Sequence, residues 1–574
     1  MANSLPGFTL PLNYQPETMR PRHRPGTDTG KQYSNRPLFP TALQVQDLAN
    51  GFSVLPLKTI REQTMLRLMD HITDKKGWEK KVFKETITKK WREEIQTSNQ
   101  EISSLMLEYI ISELRDKAEF YKQTGGTVVV YEFGIIKSDF AVPEATHRAL
   151  IDAVRVLEET TPVDYHPGSD NRVVDLVHPS MFPLIYGRSR ILRDRSIGME
   201  DCLKVHPSEG EIIPIPPEEE SKLPPPKPNV IDYSQLKAIP KPYSLKFQWL
   251  PCDVQMEWPS GCNVTSYINN LHPTEHAKLY PIIEEIIACA IPLWNYTLGP
   301  LDGQNCRKDG VKWSSSPTWP PTRITYSDVS YHAETPTNGR RFTAADVVQP
   351  EPQKYIRWEP PAVNLRLDYW GSLQVIVKLA NIELTPEKPE YQGGSWHVEG
   401  QLNEHICATA LYYYSNTNIT ESRLSFRQES DYDVPHYVPN QIDPWISAIY
   451  GCENHGPRVQ EIIDVECRQG RLLTFPNVFQ HRVQPFSLRD PTKPGCRKIL
   501  ALFLVDPAIT VISTGNVPPQ RADWWLGGQG EGGEGLIGMD EGKELRVELM
   551  DERKVFVGHQ DAAFQSLRFN LCEH

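Results

Sequence analysis

Residues 470–485 read GRLLTFPNVFQHRVQP and residues 495–507 read GCRKILALFLVDP. The first stretch carries an apolar run into Phe475-Pro476-Asn477 and then a loop bearing His481. The second is a near-continuous apolar run opened by Arg497. Short apolar runs bounded by Gly and Pro read as buried strands, so strands are expected over 471–475 and 498–505. Working outward, 405–414 is expected to be another. Residues 371–380 (GSLQVIVKLA) set Leu373, Val375, Val377 and Leu379 against Gln374, Ile376 and Lys378, the period of two of a half-buried strand. Several short strands with loops between them point to a β-sandwich or jelly roll.

Farther toward the N-terminus the period changes. Met65, Leu66, Leu68, Met69 and Ile72 form a helical stripe within 57–95, with a stop and restart at Thr73-Asp74. Leu107, Ile110, Ile111, Leu114 and Ala118 form another within 103–122, and further helices are expected near 146–159 and 274–298. Residues 207–230 (PSEGEIIPIPPEEESKLPPPKPNV) are dominated by Pro and Glu and read as a linker or loop. The expected class is α+β. Its parts are an extended arm (1–45), a mainly helical N-terminal region (46–206), the Pro/Glu-rich segment (207–230), a β-rich domain with flanking helices (231–530) and a C-terminal helical extension (531–574). The charge pairs at i,i+4 in that extension read as a solvated helix face.

The formal net charge of −12 argues against general nucleic-acid binding, which needs a basic surface. Ten cysteines without a CxxC pair argue against a zinc ribbon, and their density is too low for a disulfide scaffold. The N-terminal residues hold no apolar secretory core, and no run of about 18 apolar residues exists to span a membrane. An intracellular protein of the cytoplasm or nucleus is expected. Oligomeric state is not set by the sequence.

Two side chains at i and i+2 on a strand point to one face, so a His-x-Asp/Glu pair offers an imidazole and a carboxylate to one point. A second His from a neighbouring strand completes a facial triad that leaves coordination positions open. The pair alone is weak: 16 histidines and 73 acidic residues among 574 give about two by chance, and three occur. His332-Ala-Glu334 sits in a polar loop, and His559-Gln-Asp561 has only His574 downstream. His397-Val-Glu399 follows a glycine-rich approach (YQGGSW, 391–396) and precedes the strand CATALYYYSN. His397, Glu399 and His481 are therefore the candidate metal ligands. Arg497 is the candidate for gripping a carboxylate through two parallel hydrogen bonds, with Arg482 and Arg489 as nearby substitutes. The bland alternatives are a surface strand pair for His397 and Glu399, an ordinary salt bridge for Arg497, core packing for Tyr413, a loop role for His405 and a packed loop for 512–525.

WHVEG (396–400), the tyrosine-containing strand with Tyr413, and the ending GRLLTFPN…HRVQP…GCRKILALFL over about 370–507 resemble the prolyl-4-hydroxylase-like branch of the iron(II)/2-oxoglutarate-dependent oxygenases. The whole chain also resembles a large uncharacterised fungal family, domain of unknown function 4246. The first resemblance implies a double-stranded β-helix (jelly-roll, cupin-like) catalytic domain. It implies iron(II) held by His397, Glu399 and His481, with 2-oxoglutarate anchored by Arg497 and assisted by Tyr413. It further implies O2 as oxidant and a dioxygenase that hydroxylates a small-molecule, amino-acid or peptidyl substrate with release of succinate and CO2. Glu399 stands where that branch usually has Asp. Two other readings use the same residues: a zinc-dependent hydrolase, and a non-catalytic scaffold on the same fold.

Overall fold

The computed structural model describes residues 4–16, 38–43, 55–97, 102–223, 239–302, 323–324, 347–369, 371–430, 443–525 and 533–569. The His332–Glu334 pair, His574 and part of the Pro/Glu-rich segment lie outside them.

Helices α1 (Ile60–Thr73), α2 (Trp78–Lys81), α3 (Glu85–Gln96), α4 (Ser104–Gln123) and α5 (Glu144–Thr160) come first, and α6 (Leu279–Leu298) follows in the second half. Their starts and faces follow local chemistry. Ser103 caps α4 by accepting the Met106 N–H, and Leu107, Ile110, Ile111, Leu114 and Ala118 are buried along one side of that helix. The helical region is not helical alone. Strands β1 (Thr127–Tyr131), β2 (Ile135–Ser138) and β3 (Val173–Val177) leave it to join the main sheet. Two ribbons, β4 (Leu184–Ile185) with β7 (Phe247–Gln248) and β5 (Arg190–Ile191) with β6 (Glu211–Ile212), lie between.

The remaining strands are β8 (Cys252–Met256), β9 (Cys262–Val264), β10 (Ser372–Leu384), β11 (Glu390–Tyr391), β12 (Ile406–Thr417), β13 (Arg423–Glu429), β14 (Val459–Glu466), β15 (Leu472–Pro476), β16 (Gln480–Val483), β17 (Phe486–Ser487) and β18 (Gly495–Val505). The main sheet runs β1-β2-β15-β12-β18-β10-β8-β9 with β3 also paired to β10, and a second sheet runs β14-β13-β16. The pairings between these strands are antiparallel. The fold is thus mixed α and β with mostly antiparallel sheets. No helix among the described residues is long and apolar enough to cross a membrane.

Residues directly opposite in a ladder share a face. Tyr412, Lys498 and Thr474 lie on the face covered by α5 and α6, bonded to His147 (2.6 Å), Glu158 (2.6 Å) and Thr297 (2.7 Å) respectively. The other face carries Thr409, Tyr413, Phe475, Phe503 and Arg497, and it meets the second sheet through Phe475 and Phe426, whose ring centroids lie 4.9 Å apart. This explains one departure from the sequence pattern. β10 is expected to be half-buried, yet Gln374 and Ile376 are buried along with Val375, and of that face's three residues only Lys378 stays half-buried.

The C-terminal helix (Met539–Phe564) has the solvated face its charge pairs predict, with Glu544, Glu548 and Asp551 exposed. It also has a second face the charges do not mark, where Arg546, Leu549, Phe556, Gln560 and Ala563 are buried. Arg546 binds Asp164 (2.6 Å), and Gln560 accepts from the Gln480 amide (2.6 Å), one residue from His481. Residues 38–43 dock at the same end of the sheets: the Ala42 N–H donates to the Asn477 carbonyl (2.9 Å), and the Phe39 N–H donates to Asp506.

Burial pushes the Asp506 carboxyl up from 3.8 to about 7, against the pull of the Phe39 and Ala508 N–H groups. The folded chain therefore keeps a proton that the unfolded chain releases. That contribution is complete below about pH 4 and is lost as pH rises through about 7. Stability in urea is expected to fall across that window by at most about 1.4 kcal/mol per pH unit from this group. Asp506→Asn is expected to remove that part of the slope; an unchanged slope would assign it elsewhere.

Candidate metal centre

After β11 the chain approaches β16 closely. Gly393 has φ +89°, and a Cβ there would stand 2.9 Å from the Val483 carbonyl oxygen. That close approach is the physical need behind the glycines before His397. His397 and His481 then form an isolated antiparallel bridge, each N–H donating to the other's carbonyl (3.1 and 2.9 Å). Their ring centroids lie 4.4 Å apart. Glu399 returns to the same side, its Oε1 3.3 Å from His481 Nε2 and 3.8 Å from His397 Nε2. The potential ligand atoms of the three residues all lie within 4.8 Å of one another. Phe475 from the main sheet packs on the His481 ring at 4.7 Å between centroids.

The hydrogen bonds also select the tautomer. His397 Nδ1 lies 2.9 Å from the Ser395 carbonyl, so Nδ1 carries the proton and donates, leaving the Nε2 lone pair for a cation. Burial and the neighbouring His481 push His397 down to about 4. The first cause reflects crowding of the ring nitrogens, because the His397 side chain keeps 33% of its surface open. At Glu399, burial acts upward but is outweighed by the His481 hydrogen bond and the two imidazoles, leaving the carboxyl at about 2. A neutral imidazole and an ionised carboxylate are the forms that bind a divalent cation.

Arg497 is 2% exposed, yet no carboxylate among the described residues pairs with it. Its Nη2 reaches only Cys467 Sγ at 3.9 Å, its Nε has no partner, and its guanidinium lies over the Tyr413 ring at 5.0 Å. The Tyr413 hydroxyl is also buried, with no well-formed hydrogen bond among the described residues beyond its approach to Arg497 and Cys467. Burial would lower the Arg497 pKa, but Cys467 and Tyr413 hold it raised, so it stays charged. A buried, ionised, unpaired guanidinium is costly unless an anion completes it. Tyr412, by contrast, faces α5. Arg482 stacks on Trp396 (4.4 Å), so it is otherwise engaged. His405 caps a short 3-10 turn with φ +44° and is buried near Tyr243, outside the triad. His559 is exposed, and Asp561 pairs with Arg427.

A second group, His166, Asp175 and His178, also places potential ligand atoms within 4.8 Å of one another. Its hydrogen bonds point the other way. His178 Nδ1 accepts the Ser180 N–H (3.1 Å), which puts the proton on Nε2, and Asp175 already takes His166 (2.9 Å) and Arg546 (3.4 Å). Both of those bonds fall on Asp175 Oδ2, and Oδ1 is buried without a hydrogen-bond partner among the described residues. A cavity between α4 and β1, lined by Tyr109, Glu113, Val129 and Arg323, holds none of the triad, and Arg323 there is already paired to Glu113 and Glu132.

Two residues at the centre had no assigned role in the sequence. Cys467 lies beside Arg497, and nothing local marks it. Asn477 was visible only as part of the FPN run, although its side-chain amide holds the Glu399 backbone.

The family model described as protein of unknown function (DUF4246) matches residues 104–528, and the model for the N-terminal domain of DUF4246 matches residues 5–94. No curated protein matches the chain. Among solved structures, the Fe(II)/(alpha)ketoglutarate-dependent dioxygenase TqaL matches at 10% identity over 64% of this chain and 94% of its own, with a TM-score of 0.21. IDO from Bacillus thuringiensis matches at 11% over 24% and 46%, and AviO1 from Streptomyces viridochromogenes at 12% over 26% and 57%, both with a TM-score of 0.15. The chain thus spans about half the length of the last two.

Proposed function

We propose that this chain, which belongs to the DUF4246 family of proteins of unknown function, is a non-haem iron(II)- and 2-oxoglutarate-dependent dioxygenase on a double-stranded β-helix. The observation that carries the reading is the convergence of His397, Glu399 and His481, with Phe475 packed on His481 and, on the same sheet face as Phe475, a buried Arg497 that has no carboxylate partner among the described residues. Two imidazoles and one carboxylate suit iron(II) in an open facial site. Bound there with 2-oxoglutarate, iron(II) would supply oxygen activation, the keto acid leaving as succinate and CO2 while a substrate C–H bond is hydroxylated.

The protein's share is placement. The Ser395 carbonyl aims His397, and the strand bridge fixes His481 beside it. Arg497 offers its guanidinium to the distal carboxylate of 2-oxoglutarate, and Tyr413 offers its hydroxyl to the same group. Phe475 and Phe426 exclude water on the His481 side. The substrate in this reading is a small molecule or a peptidyl side chain.

The test is anaerobic titration of iron(II)-loaded protein with 2-oxoglutarate. A weak visible charge-transfer band is expected in the parent and absent in His397→Ala. A folded, iron-loaded parent without the band would overturn the reading. Activity with zinc and no oxygen uptake would favour the hydrolase.

A further inference from the structure

His397 has a strand partner, but the ladder ends after that one pair, and Glu399 lies in a bend followed by Gly400 at φ +71°. Its peptide N–H and C=O would be left unpaired in a partly buried site, and such groups need partners. One side chain supplies both. Asn477 Oδ1 accepts the Glu399 N–H (3.0 Å), and Asn477 Nδ2 donates to the Glu399 carbonyl (3.0 Å) and to the Ile406 carbonyl (3.0 Å). Two carbonyls on one end and an N–H on the other fix which end of the amide is nitrogen. Asn477 is 1% exposed, and its own backbone is pinned by Cys407 and Ala42, each through a 2.9 Å bond. It also sits four residues before His481, on the turn that delivers that ligand.

We propose that Asn477 is a positioning residue of the metal centre: its amide stands in for the missing strand, sets the direction of the Glu399 carboxylate, and couples it to the segment carrying His481. This rests on the metal-centre reading above. Alanine would leave the Glu399 peptide free to turn, so the carboxylate would be ordered only when the cation binds. Loss of a partner that orients a metal ligand typically weakens metal affinity about 10- to 100-fold.

The experiment is equilibrium titration of the metal-free full chain with cobalt(II), well below its melting temperature, with the ligand-field spectrum recorded at saturation. Asn477→Ala is expected to bind cobalt(II) about 10- to 100-fold more weakly. Its spectrum is expected to change, as it should when the carboxylate ligand loosens. A role confined to folding would lower the melting temperature and leave both readouts in place. If the alanine variant does not fold, Asn477→Asp is used: it keeps the size and an acceptor for the Glu399 N–H while removing both donors. A folded variant of either kind with cobalt(II) affinity within about twofold of the parent and a superimposable spectrum overturns the proposal, provided His397→Ala has lost the metal. If His397→Ala binds like the parent, it is the metal-centre reading that fails.

Discussion

His481→Ala is expected to leave a folded protein that no longer retains iron(II) through gel filtration, with cobalt(II) affinity reduced by more than the ~100-fold that loss of a mere supporting group costs. The reasoning is geometric. His397 and Glu399 come from one short segment, and their peptide groups are held by the chain of residues 477–481. Without the second imidazole, a cation keeps two protein ligands on one side only. The other side would be the apolar rings of Phe475 and Phe426, which offer no donor. The substitution also opens a small void, because the His481 side chain is 4% exposed, so the variant should unfold at somewhat lower urea. The two effects separate by measurement: metal content at low temperature reports the ligand, and the urea midpoint reports packing. Stoichiometric iron(II) in folded His481→Ala would mean that the three residues converge without serving a cation, and the scaffold reading would take over.

Much of this arrangement could be read before any coordinates. The apolar run 498–505, the alternation in 371–380 and the helical stripes within 57–95 and 103–122 are local signals, and the strands Gly495–Val505 and Ser372–Leu384 and the helices beginning at Ile60 and Ser104 lie over them. The glycines before His397 singled out, among three His-x-Asp/Glu pairs, the one that converges with a second histidine, because the close backbone approach at Gly393 tolerates no side chain. What was not legible depends on partners far away in sequence. Strands β1 and β2 are short, and their place in the sheet comes from β15, more than three hundred residues later. Arg546 and Gln560 look like ordinary charged or polar helix positions until Asp164 and Gln480 are seen opposite them. Lys378 and Gln374 mark a solvent face only if nothing covers it, and the second layer of structure does. Asn477 is the sharpest case. Its role exists because the Glu399 peptide lacks a ladder partner, and no sequence pattern records a missing hydrogen bond.

Arg497→Met is expected to do two opposite things, and the pair is more informative than either alone. In the free protein, the guanidinium is buried with an unpartnered Nε and no carboxylate in reach among the described residues. Its compensation among the described residues is the Tyr413 side chain, whose ring lies at 5.0 Å, and a sulfur 3.9 Å away. A structural arginine would destabilise the fold when removed, because its acid would be left unpaired. Here there is no acid to strand, so an apolar side chain of similar length should leave the ligand-free protein as stable as before or more stable, by on the order of 1 kcal/mol. Binding moves the other way. The distal carboxylate of 2-oxoglutarate would enter a buried site without its charge partner, a loss of about 2–5 kcal/mol, or roughly thirty- to several-thousand-fold in affinity. Calorimetric melting of the metal-loaded protein reads both at once. 2-Oxoglutarate at about a hundred times the parent's dissociation constant should stabilise the parent by about 2.7 kcal/mol and Arg497→Met by less than about 1 kcal/mol. Iron(II) affinity in the absence of 2-oxoglutarate should be the same in both, since Arg497 touches none of the three ligands. If the variant instead melts well below the parent and still gains stability from 2-oxoglutarate, then Arg497 is a structural residue and the co-substrate carboxylate is held elsewhere.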